Sequence, residues 1–551
     1  MRRPTVIVAG WRAVPETGGH LIKRRNFLRT SAALGAAGAL SAPNLAVAQG
    51  SRTLRFVPQA DLPNLDPVSG TQIVVSNASK IVYDTLYGID SKFRPQPQMC
   101  EGHELTDDGK TYTFKLRSGL RFHDGEPVLA KDAVASIRRW MQRDSIGQVI
   151  ASRLDAAEVI DDRTFRFRLK RPFAQMLYAL GKANSPLPVI MPERIAKLDA
   201  FRPVAEYIGS GPLMFKRDEW MAGARAVFTR FAQYQPREEK SDWLAGGKRM
   251  LLDRVEWVTM PDTATAANAL SNGEVDWWEN PVQDLVPLLK RDPNLHVDIS
   301  DPLGNLGTLR MNHLHPPFND IRARRALQMA VSQEDYMRAV VGDDTSMWKT
   351  TASVFVPGTP YYTEVGGDAL KGPRRYDEAK RLLAEAGYNG EKIVLLVATD
   401  VPTTKAEGEV TADLLGRLGM QVDLQALDWG TVGSRRASKA PPDKGGWHIF
   451  FTWSAGAGCL IPAGYNALNA NGDKAWFGWP NSPEIQQHIS EWYDAPNEAA
   501  AMQAIQDINR SSLEYVTWII TGFFLTNTAW RKNVQGIQQG PFPNFWGVQK
   551  T

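Results

Sequence analysis

Residues 107–141 leave little freedom in what they can form. Asp108-Gly109 is a turn signal, because Gly accepts positive φ where other residues strain. Behind it Tyr112, Phe114 and Leu116 alternate with Thr111, Thr113 and Lys115, so one face of a strand is apolar and the other polar. His123-Asp124-Gly125 makes the next turn. Asp132 then precedes Val134, Ile137, Trp140 and Met141, spaced by three and four as on one face of a helix. The run reads as two short strands closed by Gly turns and followed by a helix.

The same alternation of strand and helix continues along the chain. Strand patterns fall at 53–58, 162–169, 251–260, 392–399 and 422–427. Helix patterns fall at 76–87, ending in Gly88, and at 263–272, 376–386 and 411–418. Residues 321–341 read as one amphipathic helix or a helix pair, with Ala326, Leu327, Ala330 and Val331 on one face. The segment 516–528 is apolar but short and broken by Gly522, which suits a buried strand better than a membrane span. No repeat of about 20 to 50 residues appears, which excludes solenoids and propellers. The pattern predicts α/β lobes, and the lack of a long Gly/Ser/Pro linker predicts short hinge connections between them.

Residues 1–48 are set aside as an export signal. Lys23-Arg24-Arg25 is basic with a twin-arginine pair, residues 30–42 are a modest apolar run, and Ala46-Val47-Ala48 supplies small residues for cleavage after Ala48. This order resembles the address read by the Tat translocase and implies a periplasmic location. The signal holds seven of the 64 Lys and Arg and one of the 60 Asp and Glu. Removing it turns a formal charge of +4 into 57 basic against 59 acidic residues, a net −2. The basicity belongs to the address, and nothing in the remainder suggests a nucleic-acid footprint. Two cysteines, Cys100 and Cys459, lie far apart. They read as small buried groups, although export leaves a disulfide chemically open.

In order along the chain, several segments resemble family 5 of the extracellular solute-binding proteins of ABC importers, the dipeptide, oligopeptide and nickel group. They include Leu65-Asp66-Pro67, Val82-Tyr83-Asp84-Thr85-Leu86-Tyr87, the run quoted first through Trp140, Gly209-Ser210-Gly211-Pro212 and Gly273-Glu274-Val275-Asp276. Arg310-Met311-Asn312, Ile321-Arg322-Ala323-Arg324-Arg325-Ala326-Leu327 and Tyr376-Asp377-Glu378-Ala379-Lys380-Arg381-Leu382-Leu383 continue the series. The resemblance implies an α/β, two-lobed periplasmic-binding-protein fold with hinge strands and an extra domain inserted in lobe one. Lobe one is expected over about 51–300 with its insert at about 85–205, lobe two over about 305–510, and residues 511–551 as a segment returning to lobe one. It also implies a monomer that captures a peptide-like or other small polar or amphiphilic solute by hinge closure. The solute would pass to an ABC permease in the inner membrane. The alternatives are a non-peptide ligand such as an opine-like conjugate, and an exported sensor or chaperone on the same fold.

The sequence gives no support for catalysis, a metal or a cofactor. Gly-x-Ser-x-Gly, His-Glu-x-x-His and Cys-x-x-Cys are absent. His313 and His315 flank Leu314, but no third ligand stands nearby, so they read as surface or hinge histidines. His123 is expected to serve its turn by hydrogen bonding.

Candidate ligand-binding residues come from the resemblance. Trp429 and Trp453 match cleft aromatics of peptide-binding relatives, with core packing as the alternative for each. Those relatives carry an Asp three residues after the second Trp, which pairs with the ligand's α-ammonium; here the position is Gly456. Either another acid holds the amine, or the ligand has none there, or the small-residue run is simply a tight turn. Tyr465, Asn466 and Asn469 offer neutral hydrogen bonds downstream. Ser69 and Gly70 lie in the opening loop. Arg310, near the lobe crossing with Asn312, reads as a bidentate carboxylate ligand or a member of a surface ion pair.

Overall fold

The computed structural model describes residues 52–495 and 497–551; the export signal and the expected cleavage after Ala48 lie outside the described residues. Three sheets carry the architecture. The first has seven strands, in the spatial order Leu295–Ile299, Asn527–Arg531, Trp277–Trp278, Thr53–Val57, Arg254–Val258, Arg225–Arg230 and Leu213–Phe215. The second has six, in the order Trp348–Lys349, Ile519–Phe524, Asn305–Met311, Ile449–Ala455, Lys392–Ala398 and Gln421–Leu427.

The third sheet has four strands, and of residues 107–128 only Thr111–Leu116 belongs to it; the second short strand expected there does not form, since Arg121 and Pro127 make only an isolated bridge around the Gly125 turn. Strand Thr111–Leu116 pairs antiparallel with Cys100–Leu105 and with Thr164–Leu169, bringing Phe114 opposite Phe165 and Tyr112 opposite Phe167. The Phe114 and Phe165 rings stack with centroids 5.2 Å apart, an arrangement worth about 0.5–1.5 kcal/mol beyond burial. Gly109 holds φ +68° in the turn before this strand, as the Asp-Gly signal requires. Helix Ala130–Trp140 follows, and the Asp132 carboxylate accepts the Leu129 N–H at 2.8 Å to close its first turn.

Two boundaries differ from the sequence pattern. The first helix is Ile73–Val82, and Gly88 lies in the strand Tyr87–Ile89 instead of stopping a helix. A Cβ on Gly88 would fall 2.3 Å from the Leu244 carbonyl oxygen, so that glycine serves a close backbone approach. Helix Pro402–Arg417 begins well before the expected residue 411, since Pro at its first position is preorganised for a helix start. Residues 321–341 resolve into a helix pair, Ile321–Ala330 and Gln333–Val341, with the Ser332 side chain capping the second.

The chain crosses between the first two sheets at two adjacent places. Ile299 pairs with Asn527 in the first sheet, and Asn305 pairs with Phe524 in the second. Between them the Ser300 N–H donates to the Thr526 carbonyl at 2.9 Å. The two crossing segments form a narrow hydrogen-bonded ribbon between the lobes. Strand Ile519–Phe524, which the sequence reading assigns to the returning segment, is buried along its whole length in the second sheet. The return to the first sheet starts only at Asn527. From there the tail packs its Phe545 ring 5.1 Å from Phe56, beneath the first sheet.

Cys100 and Cys459 are both buried and unpaired. No helix among the described residues is long and apolar enough to cross a membrane.

Candidate functional site

The loop before helix Ile73–Val82 is tied down by one carboxylate. Asp66 accepts the Val68 and Ser69 N–H groups at 3.0 and 3.4 Å and the Val204 N–H at 3.0 Å. The Arg139 guanidinium grips it from the inserted helix through two bonds of 3.1 and 2.7 Å, with both side chains out of contact with water. The loop then reaches Thr71 and Gln72, which meet the other lobe. Gln72 Nε2 donates to the Trp429 carbonyl at 3.2 Å, and Trp476 Nε1 donates to Thr71 Oγ1 at 3.1 Å. Asn466 Nδ2 and Asn184 Nδ2 cross in opposite directions to the carbonyls of Ser185 and Gly464, at 2.6 and 2.8 Å. The lobes are held in a closed arrangement.

Between them lies a cavity that, with the solvent at its mouth, encloses about 820 Å³. Among the expected residues the fold brings Trp429, Trp453, Tyr465 and Asn466 into its wall. Ser69, Gly70 and Asn469 line an adjoining, wider cavity that shares Thr71, Arg436, Asn466 and Trp476 with the first. Trp429 is set by its position at the start of helix Trp429–Arg435, where Asp428 caps and the Asp400 carboxylate accepts the Trp429 N–H at 2.9 Å. Trp453 projects from strand Ile449–Ala455, opposite Gly307 in the register.

Arg310, Asn312 and Gly456 are not in the wall of either cavity. Arg310 is fully buried and donates to the carbonyls of Phe477, Ala467 and Thr517 at 2.7, 3.3 and 3.1 Å; its other terminal nitrogen has no partner, and it stands in no surface ion pair. Asn312 Nδ2 donates to the Trp447 carbonyl at 3.1 Å. Gly456 starts a 3-10 turn, and a Cβ there would lie 2.2 Å from the Leu303 carbonyl oxygen. No side chain fits, which is a packing reason for glycine in this turn.

Arg436 is the residue that sequence reasoning missed. It is 2% exposed, yet it lines both cavities. Its guanidinium lies against four rings, with centroid distances of 5.4 Å to Trp429, 5.4 Å to Phe450, 5.7 Å to Trp476 and 4.8 Å to Phe477. One nitrogen donates to Thr71 Oγ1 at 3.2 Å, and Nε has no partner. Burial alone pushes its pKa down, to about 9, with no carboxylate opposing the shift. A second cation in the same wall is Lys80, whose Nζ donates to Ser76 Oγ at 2.7 Å and sits 4.7 Å from the centre of the Phe542 ring.

The histidines serve the frame. His123 Nε2–H donates to the Gly211 carbonyl at 3.0 Å, and His313 Nε2–H to the Thr517 carbonyl at 3.2 Å. His315 reaches the Lys439 carbonyl at 3.1 Å. Among the described residues no three His, Cys, Asp or Glu converge as a metal site. His448 accepts the Val394 N–H on Nδ1 at 2.9 Å and donates from Nε2 to the Pro316 carbonyl at 3.1 Å, which requires the neutral ring. Burial lowers its pKa from 6.5 to about 4. The unfolded chain therefore binds the proton first as pH falls, and stability should drop between about pH 6.5 and 4. Melting temperatures across that range will check this, and His448→Gln, which can still accept and donate, should flatten part of the slope.

Comparison with known proteins agrees with this architecture. Residues 94–476 match "Bacterial extracellular solute-binding proteins, family 5 Middle", and residues 21–41 match the twin-arginine translocation signal, which directs export to the periplasm. The probable peptide ABC transporter periplasmic-binding protein y4tO of Sinorhizobium fredii is 37% identical over 542 residues, 96% of this chain and 100% of the relative. The glutathione-binding protein GsiB of Escherichia coli is 27% identical over 443 residues, 78% of each chain. Among solved structures, the Agrobacterium periplasmic binding protein AgaA, in complex with agropinic acid, superposes with a TM-score of 0.75 at 21% identity. That match covers 91% of this chain and 99% of the other. With matches of this extent, the chain belongs to family 5 of the bacterial extracellular solute-binding proteins.

Proposed function

We propose that this protein captures a peptide-like solute bearing a carboxylate between its two lobes and hands it to the membrane permease of an ABC importer. The observation that carries the reading is Arg436, a buried guanidinium in an aromatic cage with no acidic partner of its own. A desolvated charge without a counter-ion is costly to the fold, and a ligand carboxylate supplies that counter-ion. The flanking rings of Trp429, Trp453 and Trp476 give the apolar surface that small-solute clefts use. The peptide transporter relative at 37% identity and the glutathione-binding proteins support a peptide-like cargo.

Native mass spectrometry of freshly purified protein, followed by thermal-shift titration with Met-Leu and with glutathione, tests the reading. A retained or added peptide should raise Tm, because it binds only the folded state. It should also change tryptophan fluorescence, since three indoles line the cavity. A retained non-peptide metabolite, with no response to either peptide, would favour the opine-like alternative.

A further inference from the structure

The main cavity and the wider one beside it have four lining residues in common, Thr71, Arg436, Asn466 and Trp476. All four stand in hydrogen bonds that cross between the lobes. Thr71 Oγ1 accepts from Trp476 Nε1 at 3.1 Å and from an Arg436 nitrogen at 3.2 Å, and Asn466 Nδ2 donates to the Ser185 carbonyl at 2.6 Å. The boundary between the two cavities is therefore a seam of bonds joining one lobe to the other.

Trp476 supplies the largest side chain in that seam, and its ring is firmly placed. The Phe450 ring meets it edge-on with centroids 5.5 Å apart, and the guanidiniums of Arg310 and Arg436 lie 5.1 and 5.7 Å from its centre. The turn behind it is clamped as well. Arg310 Nε donates to the Phe477 carbonyl at 2.7 Å, and the His313 N–H donates to the Gly478 carbonyl at 2.9 Å. Beyond the seam the space continues, for the wider cavity shares Ser145, Gln148, Asn469 and Lys474 with a further one. The cleft thus has room for a longer chain, but on the far side of Trp476.

We infer that Thr71, Arg436, Asn466 and Trp476 form a partition that assembles as the lobes close, stops the solute at the edge of the main cavity and so selects short peptides over long ones. A chain running on into the wider cavity would lie where Trp476 and Arg436 reach Thr71, and the lobes could not complete those bonds around it. Trp476 is the specificity-determining residue, because its indole is the body of the wall. This assignment rests on the peptide reading above and names the size class of the cargo.

Calorimetric titration of the exported chain with Met-Leu and with Met-Leu-Ala-Ala-Ala-Ala, roughly 20 Å long when extended, tests it. The wild type should bind the dipeptide at least about tenfold more tightly than the hexapeptide. Trp476→Ala removes the wall and should bring the two affinities within about threefold of each other, chiefly by tightening the hexapeptide. Trp476→Leu keeps an apolar group against Phe450 while shortening the wall; it should move the ratio the same way by less, and it decides the matter if Trp476→Ala does not fold. Equal affinities in the wild type, or tighter binding of the hexapeptide, would overturn the partition. So would a ratio that stays at the wild-type value in the folded variants. If neither peptide binds the wild type, the peptide reading itself fails, and the partition's role with it.

Discussion

Arg436→Met should weaken the binding of Met-Leu by about 30-fold to several thousand-fold, the range of about 2–5 kcal/mol expected when one partner of a desolvated charge pair is removed. The comparison that isolates the charge uses Met-Leu and its C-terminal amide. Wild-type protein should prefer the free carboxylate strongly, and the variant should treat the two alike. Met fills much of the arginine stem's volume and can rest on the rings of Trp429 and Phe477. The ligand-free variant should therefore fold normally and melt at or above the wild-type temperature, because the guanidinium it loses had no acidic partner. Weak peptide binding together with a lower Tm would point to Arg436 as a structural group and remove the main support for the cleft assignment.

Arg139→Met should destabilise the protein by about 3–5 kcal/mol, because it leaves the Asp66 carboxylate buried without its cation. The loss should be larger than for any exposed ion pair, such as Arg52 with Asp253, where solvent screens both charges. The double variant Asp66→Asn, Arg139→Met should recover a large part of it, since neither charge then remains. Chemical unfolding followed by fluorescence would measure both effects. Solute affinity should fall as well, because Asp66 holds the Val68 and Ser69 amides that lead the chain to Thr71. If the single variant unfolded at the wild-type midpoint, the Asp66–Arg139 pair would not be the anchor described.

What the sequence made legible was periodic. Tyr112, Phe114 and Leu116, and Phe165 with Phe167, alternate in two separate segments, and those segments lie side by side in one sheet. Local pattern suffices there because the buried face repeats every second residue. The cleft is different. Trp429 and Trp453 stand out as large aromatics, one after a strand and one within it, but Arg436 follows Arg435 at the end of a short helix and looks like half of a solvated pair. Its burial is decided by Phe450, Trp476 and Phe477, which belong to other elements and reach it only in the folded chain. Arg310 gives the converse lesson. A charged residue near a lobe crossing looks available, yet three carbonyls from distant segments hold its Nε and one terminal nitrogen, and the other terminal nitrogen is buried without a partner.

Gly456 bears on how this cleft can evolve. A Cβ there meets the Leu303 backbone at 2.2 Å, so no single codon change can install an acid or any other side chain without moving the crossing segment. Two positions later, Gly458 faces the cavity, and the nearest atoms to its Cβ would be those of the Asn184 side chain, at 3.3 Å. Mutational libraries selected for new cargo should therefore accumulate changes at 458 and leave 456 untouched. The boundary between tolerated and forbidden change in this turn is two residues wide, and it is drawn by one carbonyl oxygen.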